Sequence, residues 1–376
     1  MINQTEVYLG DVVQVKNNLR KPLSKMERQK RKGNIPYYGA NGILDFINIP
    51  TYHGKHLLIA EDGSVLTKES KPVLQLVEND FCVSNHAHVL SCENDDDLNF
   101  IYYALKNTRI SGFITGTVQP KLNKYNLLKI KIPFFKDHFV RAKIARFLQN
   151  LDKKIELNDK NNEILNKFLK LIFKNWFLKK QSASNNNKKK FEQIKLGDLI
   201  VRSKKKIGNT NAKVLAAINS GELIPSENYF SKRVYSEKIN NYLKVDKFDF
   251  AYNPSRINIG SIGLNKEDII GAVSPVYVVF KTKKNYHWFI EQFLRLKSTN
   301  LKIKQLSSGS VRQTLSYDDF SSISLTYSGE KKINEYNKIY ELFRNQVTQN
   351  DEESKILISL QKILLPKLMT GELSVS

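Results

Sequence analysis

Apolar residues recur through residues 144–176 at Ile144, Leu148, Leu151, Ile155, Leu165, Leu169, Ile172 and Trp176, with Asn158 and Asn162 holding the two middle places of a 4, 3, 4, 3 spacing. Alternating threes and fours put one stripe along a helix, so a coiled-coil seam is predicted. A shift of 192 residues lands on Tyr336, Tyr340, Phe343, Val347, Asn350, Ser354, Leu357, Gln361, Leu364 and Leu368, again apolar at both ends and polar in the middle. The second seam is expected to slip near Gln361, with Leu360 taking the inward place. Two helices of about 40 residues would each span about 60 Å at 1.5 Å per residue. Paired antiparallel about an approximate two-fold axis, they would bring Asn158, Asn162, Asn350 and Ser354 together near that axis. Buried polar residues in such a seam fix register and partner at some cost in stability, which is the role assigned to these four; a short solvated stretch is the alternative.

Ahead of each seam the pattern changes to short apolar stretches broken by turn residues. Residues 57–60 run Leu-Leu-Ile-Ala into Glu61-Asp62-Gly63, and residues 83–90 read as one further strand. A short helix is predicted near 98–106. The second copy has the same texture, with strands at 249–252 and 272–280 and a helix around 287–297. An α/β mixture is expected in both copies.

The change of pattern is part of a duplication. Tyr8-Leu9-Gly10-Asp11 returns 187 residues later as Lys195-Leu196-Gly197-Asp198, and Gly116-Thr117-Val118 returns 193 later as Gly309-Ser310-Val311. A repeat this long is a duplicated domain with its helix and not a solenoid unit, whose periods run to about 50 residues at most. The expected fold is therefore α/β, two duplicated domains separated by two long antiparallel coiled-coil helices in a pseudo-two-fold arrangement. Its parts are residues 1–135, a first helix at 136–180, a polar linker at 181–190, a second domain at 191–328 and a second helix at 329–376.

Charge narrows the partner. Lys and Arg number 60 against 37 Asp and Glu, a net charge of +23. That excess points to nucleic acid or an anionic membrane. The longest apolar run, residues 168–178, is interrupted by Lys170 and Lys174, so no membrane span is expected. No signal-peptide layout opens the chain, and Cys82 and Cys92 cannot make a disulfide framework; a cytoplasmic protein is expected. Residues 16–32 hold eight Lys or Arg and one acid, and residues 188–206 eight and two. Two basic patches follow, one per domain. Lys25, Arg28, Arg31 and Lys32 in the first and Lys204, Lys205 and Lys206 in the second would contact phosphates. Tyr37, Tyr38 and Asn41, and Asn219, Arg256 and Asn258, could reach base edges.

Three motifs suggest chemistry and none holds. Cys82, His86, His88 and Cys92 are metal-ligand types, but their spacing is loose for structural zinc and the aligned Ser274-Pro275-Val276-Tyr277 keeps none of them. Tyr252-Asn253-Pro254-Ser255 is similar to the Asn-Pro-Pro-aromatic motif of amino-methyltransferases without its second proline or aromatic. Asp62 with Glu69-Ser70-Lys71 mimics the residues of a metal-dependent nuclease at a spacing common by chance. No phosphate loop is present. A non-catalytic chain with no metal is expected.

Together these residues resemble a known family. Gly33-Asn34-Ile35-Pro36-Tyr37-Tyr38-Gly39-Ala40-Asn41-Gly42-Ile43, Leu58-Ile59-Ala60-Glu61-Asp62-Gly63 and Asn85-His86-Ala87-His88-Val89-Leu90 resemble the target-recognition domain of type I restriction–modification specificity subunits. Tyr252-Asn253-Pro254-Ser255-Arg256 with Val273-Ser274-Pro275-Val276-Tyr277-Val278 looks like a second variant of it, and Pro366-Lys367-Leu368-Met369-Thr370-Gly371-Glu372-Leu373 is similar to the family's usual ending. The resemblance implies a subunit that reads an asymmetric bipartite target in double-stranded DNA. It also implies two methyltransferase subunits and an endonuclease/translocase subunit as partners, with S-adenosylmethionine, ATP and Mg²⁺ belonging to them and no cofactor here. The alternatives are a non-specific nucleic-acid-binding scaffold and the specificity module of a fused restriction–modification enzyme, for whose other domains this chain has no room.

Overall fold

The computed structural model describes residues 4–178, 192–219, 221–230, 232, 234–307 and 314–375. The linker expected at 181–190, the lysines at its end and the Gly309-Ser310-Val311 marker lie outside them. The chain divides into two compact units, residues 1–159 with 350–376, and residues 160–349.

In the first unit the strand Gln4–Tyr8 pairs antiparallel with Lys131–Phe135. The chain then turns into the short helix Leu9–Val12, whose Leu9 is wholly buried and whose Leu9 N–H donates to Ile130 O at 2.8 Å. Gly10 follows because a Cβ there would lie 3.1 Å from Leu128 Cβ and 3.2 Å from Leu128 O. The second unit builds the same corner. Glu192–Lys195 pairs with Ser324–Tyr327, the Leu196 N–H donates to Ile323 O at 2.8 Å, and a Cβ on Gly197 would lie 3.1 Å from Ser321 Cβ. The Leu-Gly-Asp repeat thus has a packing basis: a buried leucine, then a residue whose Cβ would crowd a neighbouring helix.

Between these shared corners the units differ. The first carries a four-stranded sheet ordered Gln14–Val15, Ala87–Ser91, His56–Ala60, Leu74–Val77, and a three-stranded sheet ordered Gly42–Ile47, Lys32–Gly39, Cys82–Val83. The second has one mixed eight-stranded sheet. Its order is Ile200–Ser203, Val278–Thr282, Phe250–Tyr252, Ile262–Leu264, Glu222–Pro225, Lys213–Ile218, Gly271–Val273, Leu243–Val245. Both strands expected at 83–90 and 272–280 are broken. After Cys82–Val83 the Ser84 N–H is bound by Tyr38 O in one sheet, the chain turns, and Ala87–Ser91 joins the other sheet. In the second unit Pro275 interrupts the run, the Tyr277 N–H closes a turn onto Ser274 O at 2.9 Å, and the two halves take different neighbours. Apolar periodicity does not register a strand that changes sheets, because both halves are buried.

The long helices run His138–Phe173 and Glu330–Met369. In the first unit Ile144, Ala145 and Leu148 share a core with Leu365, Leu368 and Met369, so the start of one helix packs on the end of the other. In the second, Leu169, Phe173 and Phe177 meet Tyr336 and Tyr340, with Phe173 and Phe177 ring centroids 5.5 and 5.6 Å from Tyr336. The pairing is antiparallel in each. The buried stripe steps through Leu169, Phe173 and Phe177, with Ile172 and Trp176 partly buried beside it, and its last step falls in a π-helical turn, Lys174–Leu178. The expected slip near Gln361 does not occur. Gln361 is 8% exposed and Leu360 39%, because the Gln361 amide donates to Asp152 Oδ1 at 2.8 Å and so is satisfied in the inward place.

Each domain is fixed to its helices by ionic hydrogen bonds. Asn94 caps the helix Asp95–Asn107, whose Asp97 takes a bidentate pair from Arg141 at 2.5 and 3.0 Å. Its Tyr103 hydroxyl donates to Asp152 at 2.7 Å. In the second unit the buried Glu291 of His287–Leu294 accepts from Tyr340 at 2.7 Å, Lys266 at 2.7 Å and Arg295 at 2.9 Å.

Candidate nucleic-acid interface

The first basic patch is a helix and a hairpin. Ser24 and Glu27 form a capping box that starts the helix Lys25–Lys30, and the strands Lys32–Gly39 and Gly42–Ile47 follow as a hairpin. Lys25 and Lys32 are exposed, Arg31 half-buried, and Asn41 is exposed at the hairpin turn. Around them Met26, Ile43, Leu44 and Phe46 are each about half exposed or more, an apolar surface beside the cations. Two residues singled out by sequence are internal instead. Tyr37 is 1% exposed; its hydroxyl donates to Lys21 O and accepts from the Leu23 N–H, both at 2.9 Å. Arg28 binds Leu23 O at 2.7 Å and Asp45 at 3.3 Å and lies over the Tyr37 ring. This pair holds the helix against the hairpin, with the Tyr37 hydroxyl and the Arg28 guanidinium already engaged by internal partners. Tyr38 is half-buried, edge-on to Phe81, and burial raises its phenol pKa.

In the second unit Lys204, Lys205 and Lys206 are exposed just after the strand Ile200–Ser203, with Lys206 Nζ 3.2 Å from Asn241 Oδ1. The structure brings Asn219 and Arg256 to one open groove of about 580 Å³, which Tyr229, Phe230, Tyr235, Tyr242 and Tyr277 also line. Asn258 lies on the adjoining turn Ile257–Ile259, half-buried. Planar rings beside an Asn and an Arg are the side-chain types that stack on bases and bind their edges. Sequence reading missed the aromatic lining. Its signal was available as the density of Tyr and Phe through residues 229–242, a stretch with little regular structure to bury them.

The metal and catalytic motifs dissolve into structural contacts. His86 is in the turn and pairs with Asp62 at 2.7 Å; it shares no strand face with His88, which is 1% exposed and bonded to Leu122 O at 2.7 Å. Since His88 Nε2 faces a carbonyl it must donate, leaving Nδ1 to accept from Asn17; the ring is neutral, and burial lowers its pKa. The Cys82 and Cys92 thiols are near Thr51 Oγ1 and Val12 O, and burial raises both pKa values, Cys92 to about 12. Among the described residues no His, Cys, Asp and Glu group could hold a metal. Asn253 Oδ1 accepts from the Ser255 N–H in an Asx turn. Glu69 pairs with Lys71 at 2.9 Å and Lys362 at 3.5 Å.

In the helix seam Asn158 is 1% exposed, and its amide donates to Asn350 O at 3.3 Å, Ser354 Oγ at 3.2 Å and Glu353 Oε2 at 2.9 Å. Three of the four polar seam residues, Asn158, Asn350 and Ser354, therefore meet within the first unit. Asn162 lies in the second unit, half-buried, its backbone carbonyl accepting from Asn166. No described helix is long and apolar enough to cross a membrane.

Residues 1–167 match the model of the type I restriction modification DNA specificity domain. A candidate type I restriction enzyme specificity subunit of Haemophilus influenzae is 38% identical over 125 residues, 33% of this chain and 31% of that protein. The MjaIX specificity subunit of a Methanocaldococcus jannaschii type I restriction enzyme is 25% identical over 309 residues, 73% of this chain and 69% of that one. The matches thus span about a third of the first relative and about two thirds of the second. The crystal structure of a type I restriction–modification S subunit from M. genitalium has the same fold, with a TM-score of 0.66 over 98% of this chain and 96% of that one at 17% identity.

Proposed function

We propose, from its likeness to type I restriction–modification specificity subunits, that the chain is the non-catalytic subunit that reads a bipartite, asymmetric DNA target for methyltransferase and endonuclease/translocase partners. Residues 1–135 read one half and residues 191–328 the other, while the helices at 136–180 and 329–376 receive two methyltransferase subunits. S-adenosylmethionine, ATP and Mg²⁺ are bound by the partners. One observation carries this reading: the two units share their strand-and-glycine corners and their seats on the helices, yet build different sheets between them. Shared parts suit a shared machine, and divergent parts suit two different half-sites.

The phosphate contacts proposed are Lys25, Arg31 and Lys32 in the first unit and Lys204, Lys205 and Lys206 in the second. Tyr38 and Asn41, and Asn219, Arg256 and Asn258, are the proposed base readers. Arg28 and Tyr37 support the first patch from beneath.

The test uses the chain with a partner methyltransferase and labelled methyl donor, followed by sequencing of the methylated sites. Methylation at two positions of one interrupted asymmetric sequence is expected, and none by the chain alone. Replacing Arg256 or Asn219 by Ala should relax the second half-site only. Replacing Lys25 or Lys204 should weaken binding evenly across sequences and cut the salt slope by about one. Methylation without sequence preference, or by the chain alone, would overturn the proposal.

A further inference from the structure

Residues 116–120 form a loop closed at its base by Thr115 and Lys121, which exchange backbone hydrogen bonds of 2.9 and 2.8 Å. Its turn requires glycine, since Gly116 has φ +86° and a Cβ there would lie 2.4 Å from Gln119 O. At the tip Val118 is 97% exposed, the most exposed large apolar side chain among the described residues. The stalk beneath is firm. Leu122 is fully buried, its N–H donates to Glu61 O at 2.8 Å and its carbonyl is held by His88. The Glu61 carboxylate, 12% exposed, takes Arg20 at 2.6 Å and Lys121 at 3.2 Å. Burial alone would raise the Glu61 pKa, but Arg20 and Lys121 hold it below the ordinary value, so the carboxylate stays ionised. A valine held in water on a rigid mount contributes nothing to folding.

The second copy repeats the sequence as Gly309-Ser310-Val311-Arg312 ahead of Leu315. Leu315 is buried like Leu122, and its N–H donates to Pro254 O at 3.1 Å. Ser316 then caps the next helix as Asn123 does in the first copy. The two domains diverge where half-sites differ, so a sequence they share serves something both half-sites have. On the reading above, each half-site contains a base to be methylated, and a methyltransferase must draw that base out of the stack. The hole left behind favours an apolar side chain slid between the neighbouring base pairs, as in proteins that wedge DNA open. Exposed Lys121 and Lys124 flank the loop, and the repeated sequence carries Arg312, which suits a phosphate backbone better than a protein surface.

We propose that Val118 is a wedge that enters the DNA stack beside the methylation target of the first half-site, with the Gln119 amide facing the orphaned partner base. The inference rests on the specificity-subunit reading and adds a step to it. Gln119 carries both a donor and an acceptor, as an unpaired Watson–Crick edge requires.

The experiment compares Val118→Gly with the unaltered chain, each assembled with its methyltransferase, by following methyl transfer to the two half-sites of one duplex separately. Transfer at the first half-site should fall about tenfold or more, with the second half-site unchanged and specific binding within about threefold. A mismatch at the first target base, which lowers the cost of extrusion, should restore most of the lost rate, and Val118→Leu should retain it. Equal transfer to both halves by Val118→Gly would overturn the wedge. So would a first-half loss that the mismatch does not rescue and that accompanies weaker methyltransferase assembly, which would make the loop a protein-docking contact. If the unaltered complex shows no sequence preference, it is the specificity-subunit reading that fails.

Discussion

His287 shows how much one buried side chain can set. It is 5% exposed, stacked on Phe248 at 4.0 Å, and its Nε2 has no hydrogen-bond partner. Burial, outweighing the pull of Glu291, pushes its pKa down to about 4 from an ordinary 6.5. The folded state therefore keeps the ring neutral where the unfolded chain would bind a proton. That stabilisation is complete above the unfolded value and is lost as pH falls from 6.5 toward 4. At about 1.4 kcal/mol per unit, the second unit should lose about 2 kcal/mol between pH 7.5 and 5 from this residue. His287→Phe keeps the stacked ring and removes the titration, so its unfolding free energy should fall by about that much less over the same range. Both tryptophans, Trp176 and Trp288, lie in the second unit, so their fluorescence in urea reports on it alone. Equal losses in the two proteins would mean that His287 is not the group titrating. Nothing in the sequence marked this histidine, because its environment comes from Phe248, distant in the chain. Tyr37 was misleading for the same reason: its neighbours in sequence are basic, but its hydroxyl is spent on the carbonyl and amide of residues 21 and 23.

At the scale of elements, a tyrosine–carboxylate bond joins each domain to a long helix, but the two bonds differ in their surroundings. Asp152, facing Tyr103, is 35% exposed, whereas Glu291, facing Tyr340, is 3% exposed and compensates both Lys266 and Arg295. Removing one partner from a buried charge cluster typically costs about 3–5 kcal/mol, while an exposed pair is worth about 1 or less. Glu291→Gln should therefore destabilise the second unit by about 3–5 kcal/mol, and Asp152→Asn the first by no more than about 1. Tryptophan fluorescence measures the former and amide exchange in the helix Asp95–Asn107 the latter. Comparable losses would mean that the Glu291 cluster is not the tighter joint. The seam itself was legible, since Ile144, Leu148 and Tyr336 are buried as their spacing predicts. Gln361 was not, because its burial depends on Asp152, on the other helix. Periodicity reports which face is inward and is silent on whether a polar residue there finds a partner.

For the whole molecule, the duplication was the most legible property of the sequence, and the divergence between the copies the least. Leu9 and Leu196 are wholly buried in their corners, and Gly10 and Gly197 sit where a Cβ would crowd a neighbouring helix. The sheets between the corners are free to vary, so no rule of spacing anticipates eight strands in one unit and four plus three in the other. If the repeated helices also set the distance between half-sites, inserting four residues at matching points in both should lengthen the pair by about 6 Å at 1.5 Å per residue. Duplex DNA rises about 3.4 Å per base pair, so the preferred spacer should grow by one or two base pairs with the half-sites unchanged. Four residues are close to one turn of 3.6 and keep the apolar stripe inward, whereas two would turn it away and should abolish assembly. The insertions must avoid Asn158, Asn350 and Ser354, whose contacts join the two helices in the first unit, and Asn162 one turn further on. Sequencing the sites methylated by the four-residue variant decides the matter. A longer spacer makes the helices a ruler, and an unchanged spacer at full activity would mean that they only clamp the partner subunits.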